Sequence, residues 1–469
     1  MHTTTLRKAA VLATCMAAGA AVTLAFPTAA NAKARHQPKP TVTSVSTTHA
    51  STTGGVQVTV RGSHFSHVRA VTFGGVKGTH VSVASSRKLV VTAPAHSAAL
   101  VNVRVGTGAG ASAVTTADYF YYQVIHTIAG GYGHSCQVTT TATVRCWGYN
   151  YYGELGDGTT TNNTGPVRAG NLTRIVSVAT GNYHSCALSA SGAVSCWGYN
   201  ALGQLGNGTT TNSSTPVGVV GLGRALSVSV GAYHSCALVV GNRVKCWGYN
   251  GYGQLGLGTT AISTVPRTVP GLTRVVDVDG GYGFTCAVRA TGSVYCTGDN
   301  SYHQLGDGTT TQELSPVRTA SLTHAVSISS GDYSSCVTYP AGSVYCWGYN
   351  GYGELGNGTT TLTSRPVRVS GLSGVSKIAV GGYHACAITR GVEQCWGYNS
   401  YGQLGNGGAA NSATPVSVLN LTKVVDLGTG SYHSLAVRST TSTWAWGSNS
   451  YGQLGNGTTT NSATRVPVG

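Results

Sequence analysis

Twelve of the 13 cysteines form pairs whose members lie nine or ten residues apart in the later part of the chain. The pairs are Cys136–Cys146, Cys186–Cys196, Cys236–Cys246, Cys286–Cys296, Cys336–Cys346 and Cys386–Cys395. Turn residues between the members, such as Ala290-Thr291-Gly292, would place the two cysteines opposite each other in a β-hairpin. Opposed Cα atoms at a non-hydrogen-bonded position lie about 4.5 Å apart, which suits a disulfide. We expect six disulfides, and buried free thiols are the alternative.

The sixth and seventh units support this pairing. The sixth loop shrinks to Arg390-Gly391, yet its cysteines still face each other, and the seventh unit changes both positions together, to Leu435 and Ala445. Disulfides also fit an oxidising compartment. A zinc site is not expected, because each pair supplies two ligands where structural zinc takes four.

A histidine recurs two residues before the first cysteine of most pairs. It occurs as His134, His184, His234, His384 and His433, while Phe284 and Ser334 occupy the slot elsewhere. A catalytic group is needed once rather than five times, so we interpret these histidines as structural hydrogen-bonding residues. The tryptophan that follows the second cysteine is interpreted as packing between repeats. It occurs as Trp147, Trp197, Trp247, Trp347, Trp396 and Trp446.

The sequence carries no motif of an enzyme. Acids are scarce, and we find no carboxylate pair, nucleophile elbow or HExxH-like segment. The repeated GQLGNG segment is a set of turns rather than a phosphate loop, since no Lys-Ser/Thr follows it. We therefore expect no catalytic residues, no cofactor and no bound metal.

Tyrosine offers a better prospect for function. One set follows the Trp-Gly dipeptide: Tyr149, Tyr199, Tyr249, Tyr349 and Tyr398. A second set follows three residues later: Tyr152, Tyr252, Tyr302, Tyr352, Tyr401 and Tyr451. Tyrosine combines apolar area with a polar tip, so rings of it on one face would bind protein or glycan. The alternative is that these side chains only fill gaps between repeats.

The fourth unit departs from the others. It carries Thr297, Asp299 and His303 where other units have Trp, Tyr and Gly, and five of the twelve acids fall within it. These acids are Asp277, Asp279, Asp299, Asp307 and Glu313. Because folding does not require such differences, we predict an acidic patch that contacts the partner through Asp299, Tyr302, His303 and Glu313. The alternative is a degenerate repeat.

All these residues lie on a unit that recurs about every 50 residues over residues 124–469. A typical unit contains four β-type runs, which is typical of one blade of a β-propeller. Seven copies predict an all-β fold with a seven-bladed propeller. The run Thr464 to Val468 looks like a surplus strand, and we expect it to complete the first blade and close the ring.

The chain before the repeats has three parts. Residues 1–32 have the charged start, apolar stretch and Ala30-Asn31-Ala32 site of a signal peptide. Residues 33–40 form a basic linker, and residues 41–122 alternate in short β-type runs that predict a small β-sandwich. No other stretch is long and apolar enough to span a bilayer. We expect a secreted, extracellular protein of bacterial type.

Two resemblances follow from these residues. Residues 41–122, with GGVQVTVRGSHF, VTFGG and a final DYFYY, resemble the IPT/TIG immunoglobulin-like domain. The segment GNYHSCALSASGAVSCWGYNALGQLGNG (Gly181 to Gly208) resembles the regulator of chromosome condensation repeat, whose family forms seven-bladed propellers. This family includes a nuclear exchange factor for a small GTPase, an activity we do not expect of an exported chain. A secreted bacterial propeller of this kind inhibits β-lactamases through aromatic residues on one face.

The expected function is therefore binding without catalysis. The first hypothesis is a monomeric scaffold whose propeller face mediates protein–protein interaction, including inhibition of a secreted or cell-wall enzyme. The runner-up is adhesion to cell-wall polysaccharide, in which the tyrosines would stack on sugars. The net charge of +16 arises from few acids rather than from dense basic runs, so nucleic acid is not an expected partner.

Overall fold

A computed structural model describes residues 37–46, 49–51, 54–96, 99–123, 127–439 and 441–469. Contacts divide the chain into residues 1–38 and residues 39–469. The predicted signal peptide and the predicted linker as far as residue 36 lie outside the described residues. Apart from one 3-10 turn at Thr116–Asp118, every regular element described is a β-strand, which confirms the all-β prediction.

Two sheets form the part of the chain before the repeats. The first has the strand order Thr41–Ser46, Gln57–Ser63, Lys88–Thr92 and Thr79–Ser85. The second has the order His49–Ser51, Tyr119–Gln123, Ala99–Thr107, Ala70–Phe73 and Val76–Lys77, with Gly110–Ala111 beside Ala99–Thr107. The strands Ala70–Phe73 and Lys88–Thr92 alternate buried and half-buried residues, as a sheet with one solvated face requires, whereas Thr79–Ser85 is exposed throughout.

Buried side chains of both sheets form one apolar cluster. Val58, Val60 and Leu89 come from the first sheet, and Phe73 and Phe120 from the second. The rings of Phe73 and Phe120 pack edge to face with centroids 4.9 Å apart. The two sheets therefore enclose a single core.

Seven four-stranded antiparallel sheets follow, each built from consecutive strands. The first strands are Ile128–Gly130, Ile175–Thr180, Ala225–Val230, Val275–Gly280, Ser327–Ser330, Val375–Val380 and Val424–Thr429. The second strands are His134–Val138, His184–Ser189, His234–Val239, Phe284–Arg289, Ser334–Thr338, His384–Thr389 and His433–Arg438. The third strands are Val144–Gly148, Val194–Gly198, Arg243–Gly248, Val294–Gly298, Val344–Gly348, Val392–Gly397 and Thr443–Gly447. The fourth strands are Asn163–Arg168, Ser213–Gly218, Ser263–Thr268, Glu313–Arg318, Thr363–Arg368, Ser412–Thr422 and Ser462–Pro467. We number these sheets 1 to 7.

The six cysteine pairs are disulfides, each joining the second and third strands of its sheet. Their Cα atoms lie 4.0 to 4.1 Å apart at directly opposed positions. In sheet 6 the shortened loop Arg390-Gly391 keeps Cys386 opposite Cys395. In sheet 7, Leu435 and Ala445 oppose each other and are fully buried. The hairpin register therefore follows the cysteine spacing in sheets 1 to 6, and sheet 7 keeps the same register without a disulfide.

A single backbone carbonyl joins the neighbouring sheets 1 and 2. The carbonyl of Glu154 in sheet 1 accepts hydrogen bonds from Trp197 Nε1 (2.7 Å) and from the Ser185 hydroxyl (3.2 Å) of sheet 2. The Ser185 hydroxyl in turn lies 2.9 Å from His134 Nε2. Because this hydroxyl gives its proton to the carbonyl, His134 must donate through Nε2. We call this arrangement the sheet joint.

The sheet joint recurs around the ring with informative gaps. It is complete between sheets 1 and 2, 2 and 3, 6 and 7, and 7 and 1. In sheet 4, Thr297 replaces the tryptophan and donates to the Gly253 carbonyl (3.0 Å). Between sheets 5 and 6, Ser334 replaces the histidine and Ala385 replaces its hydroxyl partner. Histidine and tryptophan therefore serve packing between sheets, as their repetition predicts.

The C-terminal strand does not complete the first sheet. Ser462–Pro467 pairs with the third strand of sheet 7, and sheet 1 obtains all its strands from residues 128–168. The prediction of a shared closing strand is wrong, because this run is the fourth strand of its own sheet, as Asn163–Arg168 is in sheet 1, so no strand is left over. The last sheet contacts the first through side chains instead. Trp147 Nε1 donates to the Gln453 carbonyl (2.8 Å), and Thr127 N donates to Asp426 (2.8 Å).

Candidate functional site

A closed circle of seven tyrosines lies on the loops between the first and second strands. Successive ring centroids are 5.6 to 6.4 Å apart, and the last tyrosine contacts the first. We call this set the inner ring. Its members are Tyr132, Tyr183, Tyr233, Tyr282, Tyr333, Tyr383 and Tyr432. Each sheet contributes one residue, so the circle depends on the arrangement of all seven.

All eleven tyrosines predicted from the sequence lie around the inner ring. They follow the third strands, whose ends share a side with the loops of the inner ring, and each packs against another tyrosine. Tyr149 contacts Tyr451 with centroids 5.0 Å apart, and Tyr352 contacts Tyr398 at 4.8 Å. Most remain half-buried, while Tyr302, Tyr352 and Tyr401 are exposed. We call the two sets together the tyrosine face; its members both pack on one another and remain open to solvent.

Part of the tyrosine face forms a groove of about 290 Å³. Only tyrosines line it: Tyr302, Tyr333, Tyr349, Tyr352, Tyr383, Tyr398, Tyr401 and Tyr432. Burial raises the pKa of Tyr333 to about 12, so its hydroxyl stays protonated at neutral pH. The groove therefore offers apolar ring surface bordered by hydroxyl groups.

Below the inner ring, the first strands of all seven sheets line a central channel of about 140 Å³. Its mouth is formed by seven glycines, each so close to the next that a Cβ atom would lie 1.9 to 2.5 Å from the following carbonyl oxygen. They are Gly131, Gly181, Gly231, Gly281, Gly331, Gly381 and Gly430. The circle closes where Gly430 meets the Gly131 carbonyl. Glycine is required here because no side chain fits between the strands.

The channel is acidic. Asp277, Asp279 and Asp332 line it, and no lysine or arginine is among its lining residues. Asp279 accepts hydrogen bonds from the Ser229 hydroxyl (2.6 Å) and from Ser330 N (2.8 Å), and Asp277 accepts one from Ile328 N (3.0 Å). Burial raises the pKa of Asp277 to about 7 and that of Asp279 to about 6. Hydrogen bonds from the first strands of the neighbouring sheets lower both pKa values and so partly offset the effect of burial.

Asp332 differs from these two acids. It follows Gly331 in the loop that carries Tyr333. Its Oδ2 lies close to the backbone of Gly382, because a Cβ atom added to that glycine would be 2.8 Å from this oxygen. No side-chain or backbone group in the described part of the chain donates a hydrogen bond to its carboxylate. Asp332 lines the channel directly before Tyr333, and its charge adds to the effect of burial in raising the pKa of Tyr282, Tyr333, Tyr383 and Tyr432. Burial raises its pKa to about 6, so it is mainly ionised at neutral pH.

The acids of the fourth unit do not form one patch. Asp277 and Asp279 lie in the channel, whereas Asp299, Asp307 and Glu313 lie on or beside the loop after the third strand. The prediction is wrong for the first two because they belong to the first strand, which faces the axis. Asp299 accepts hydrogen bonds from Ser301 N (3.0 Å) and Gln304 Nε2 (2.8 Å), so it organises its own loop.

His303 and Glu313 also have local partners. His303 adopts a positive φ of 64° where other units have glycine, and its Nδ1 lies 2.7 Å from the Thr309 carbonyl. Glu313 is half-buried and opposes Gly298 in the sheet. Of the residues predicted to form the binding site of this unit, Tyr302 is the one that lines the tyrosine groove.

The repeated histidines are fully buried and neutral. Burial lowers the pKa of His134 to about 3, consistent with an imidazole whose Nε2 donates and whose Nδ1 has no hydrogen-bond partner. In the described part of the chain, one group of side chains is close enough to hold a metal: Cys386, Glu393 and Cys395. The two sulfur atoms are joined in a disulfide, so they are not thiolate ligands.

The sequence analysis missed the inner ring and Asp332. The signal for the ring is a tyrosine directly before the repeated histidine, as in Tyr183-His184. In sheets 1 and 4 the tyrosine comes one residue earlier, at Tyr132 and Tyr282, and this shift hides the repetition. Asp332 lies at a position, directly after the repeated glycine, whose residue type differs between most sheets. Positions that vary in this way are candidates for contact with a partner.

Comparison with known proteins identifies the repeats. Residues 104–425 match the RCC1-like domain family. The chain belongs to this family. Residues 424–453 and 442–468 also match the regulator of chromosome condensation (RCC1) repeat, and residues 40–122 match the IPT/TIG domain. Both resemblances predicted from the sequence are confirmed. None of the curated proteins compared matches this chain.

Two solved structures illustrate the similarity of its fold to that of known proteins. Yeast RCC1 (Prp20), solved bound to Kap60, is 21% identical with a TM-score of 0.63, covering 73% of this chain and 85% of that chain. Human WBSCR16 is 25% identical with a TM-score of 0.61, covering 71% of this chain and 93% of that chain. Within the described residues of this RCC1-like protein, no helix is long and apolar enough to cross a membrane.

Proposed function

We propose that this RCC1-like protein is a secreted, monomeric, non-enzymatic scaffold that binds a protein partner through its tyrosine face. The observation that carries the proposal is the groove lined only by tyrosines, which lies on a face with one inner-ring residue from each sheet. Aromatic residues are enriched at protein interfaces, and tyrosine loses little conformational entropy on binding. Inhibition of a secreted or cell-wall enzyme is the form of binding we favour.

The proposal includes the architecture and location predicted from the sequence. A seven-bladed ring is supported by the contacts of sheet 7 with sheet 1, and an immunoglobulin-like module by the single core of residues 42–122. Six disulfides favour an oxidising compartment. The yeast RCC1 structure was solved with Kap60, and the structure of Prp20p was described with its binding to Gsp1p and histones. We extend to this chain only the ability to bind other proteins. We do not propose guanine nucleotide exchange for it.

The proposal is tested with the mature chain immobilised and exposed to the secreted proteins of its own host. We expect capture of a defined partner that is lost when Tyr352→Ala and Tyr401→Ala are combined, because both side chains are exposed in the groove. Tyr151→Ala is the matched control, since Tyr151 is 66% exposed and does not line the groove. Equal capture by the double variant and the wild type would contradict the proposal.

A second candidate function, adhesion to anionic cell-wall polymer, has separate support at the other end of the sheets. Ten exposed basic residues lie there: Arg145, Arg168, Arg174, Arg224, Arg243, Arg274, Arg318, Arg368, Arg390 and Lys423. The loops between the second and third strands, and those before the first strands of sheets 2 to 7, contain no Asp or Glu. Such a one-signed surface attracts polyanions over about one Debye length, ~8 Å at physiological salt.

Sedimentation with purified cell wall separates the two functions. Adhesion through the basic end should fall steeply between low and high salt, and should weaken in an Arg224→Glu/Arg274→Glu variant. The tyrosine double variant should sediment as the wild type does. Sedimentation that depends on the tyrosines and not on the arginines would instead favour stacking of sugars on the tyrosine face.

A further inference from the structure

The centre of the tyrosine face combines two features that together favour one kind of ligand. Aromatic rings surround the mouth of the channel, and Asp332, which directly precedes Tyr333 of the inner ring, lines that channel. None of the described residues donates a hydrogen bond to its carboxylate. Ring faces and a carboxylate both attract a positive charge. An anionic group would be repelled by the carboxylate, and a neutral donor would gain a hydrogen bond to it without the attraction between opposite charges.

We propose that the mouth of the channel is a socket for a single basic side chain, lysine or arginine, of the protein that binds the tyrosine face. The inference rests on the proposed function and names the chemistry that the partner must present. The ammonium or guanidinium group would pair with the Asp332 carboxylate. The side chain's methylene groups would pack against Tyr333 and Tyr383, whose rings lie 5.9 Å apart.

The size and charge of the channel support a side chain rather than a free small molecule. Its volume of about 140 Å³ is below the several hundred Å³ of typical small-molecule pockets. Asp279 adds negative charge deeper in the channel, and Asp277 is ionised in part at neutral pH because burial raises its pKa to about 7. Neither the channel nor the groove is lined by a lysine or arginine. A basic side chain would therefore enter an acidic site that this chain leaves unneutralised.

Asp332 is also placed so that a ligand can reach it. Asp332 and Asp279 are both half-buried, but Asp279 is held by the Ser229 hydroxyl and by Ser330 N, whereas none of the described residues donates to the Asp332 carboxylate. The corresponding slots hold Asn182, Ala232, Gly382 and Ser431 in other sheets, so folding does not require a carboxylate there. The absence of any side chain on Gly382 leaves room for the carboxylate itself. These properties fit a residue kept for contact with a partner.

The test uses the mature chain with ¹³C-labelled tyrosine and two blocked amino acids as probes. Nα-acetyl-lysine methylamide should shift the inner-ring signals saturably, and the norleucine analogue, which lacks the ammonium group, should not. Asp332→Asn should weaken the lysine probe at least about fivefold, since removing the charge removes the ion pair. Asp299→Asn is the matched control because Asp299 lies beside the same face but is hydrogen-bonded within its own loop.

Equal binding of the two probes, or an unchanged affinity in Asp332→Asn, would overturn the socket. Tyrosine signals that shift with the lysine probe only outside the inner ring would overturn it as well. The proposed function fails separately, when capture of a protein partner does not depend on Tyr352 and Tyr401. If a partner is lost in the tyrosine double variant but is still bound by Asp332→Asn, the proposed binding face is supported and the proposed socket is rejected.

Discussion

His433 Nε2 lies 2.8 Å from the Ser135 hydroxyl, although 298 residues separate them in the chain. The same hydroxyl donates to the Gln453 carbonyl (2.9 Å), which also accepts from Trp147 Nε1. Sheets 7 and 1 are thus joined by the same sheet joint that joins sheets 1 and 2. Closure depends on a repeated polar contact rather than on a shared strand, and this has consequences that can be measured.

The first prediction concerns the hydroxyl in the joint. Ser185→Ala should lower the free energy of unfolding by about 1–3 kcal/mol, because it leaves the buried Nε2–H of His134 without an acceptor. Adding His134→Ser reproduces the pair found between sheets 5 and 6, where Ser334 and Ala385 occupy these slots. The double variant should therefore lose less than the sum of the two single variants. Strict additivity in urea unfolding would show that the two side chains are not coupled.

The second prediction concerns the glycine circle at the mouth of the channel. Gly331→Ala would place a Cβ 1.9 Å from the Gly381 carbonyl oxygen, so the backbone must move. We expect a loss of more than about 2 kcal/mol, of the size seen for overpacked cores. Gly218→Ala is the control, since nothing lies within 4 Å of its Cβ position and neither glycine has a positive φ. Comparable melting temperatures for the two variants would contradict the close approach.

Sequence reasoning predicted the sheets well because their determinants are local. Cys186 and Cys196 fix a hairpin register within ten residues, and Trp197 repeats at a constant offset. The inner ring was not predictable in the same way, since Tyr132 and Tyr432 meet only after seven sheets have turned through a full circle. Asp332 likewise became a candidate only when its neighbours across the axis were known.

The error at the C-terminus has a physical reason. Each unit ends with its own fourth strand, which is Asn163–Arg168 in sheet 1 and Ser462–Pro467 in sheet 7. The prediction counted the last of these runs as surplus, because a repeated segment does not show by itself whether such a run closes its own unit or opens the next. The partner of a strand is decided by the folded arrangement of the sheets rather than by the residues of the strand alone.

The third prediction concerns pH. Burial raises the pKa of Glu154 to about 8 and that of Glu354 to about 7, both above the model-peptide value of about 4.5. The folded state therefore holds protons that the unfolded chain releases. The stability from this protonation is present below pH ~4.5 and is lost as pH rises through the folded pKa values. Other sheets carry glutamine here, as in Gln204 and Gln254.

Glu154→Gln/Glu354→Gln should remove this dependence. The free energy of unfolding of this double variant, taken relative to that of the wild type, should increase from pH 5 to pH 9. The increase should be at least about 1.4 kcal/mol, the free energy of one pKa unit. Gln204→Glu is the reverse control and should introduce the same loss at high pH. A constant difference between variant and wild type across this range, measured by thermal unfolding, would show that the two glutamates are ionised in the folded state.

The last prediction concerns the disulfides. Each closes a loop of about ten residues, for which chain entropy predicts a stabilisation of about 2–3 kcal/mol. Cys186→Leu/Cys196→Ala installs the pair that sheet 7 carries at Leu435 and Ala445, so packing is maintained while the crosslink is lost. We expect the variant to fold. Its free energy of unfolding should be lower than that of the wild type by about 2–3 kcal/mol, so that it unfolds at a lower urea concentration. Peptide mapping without reduction should show five bridges in the variant and six in the wild type, each between opposed cysteines of one sheet. Unchanged stability would mean that packing at these positions, rather than the crosslink, holds the two middle strands together.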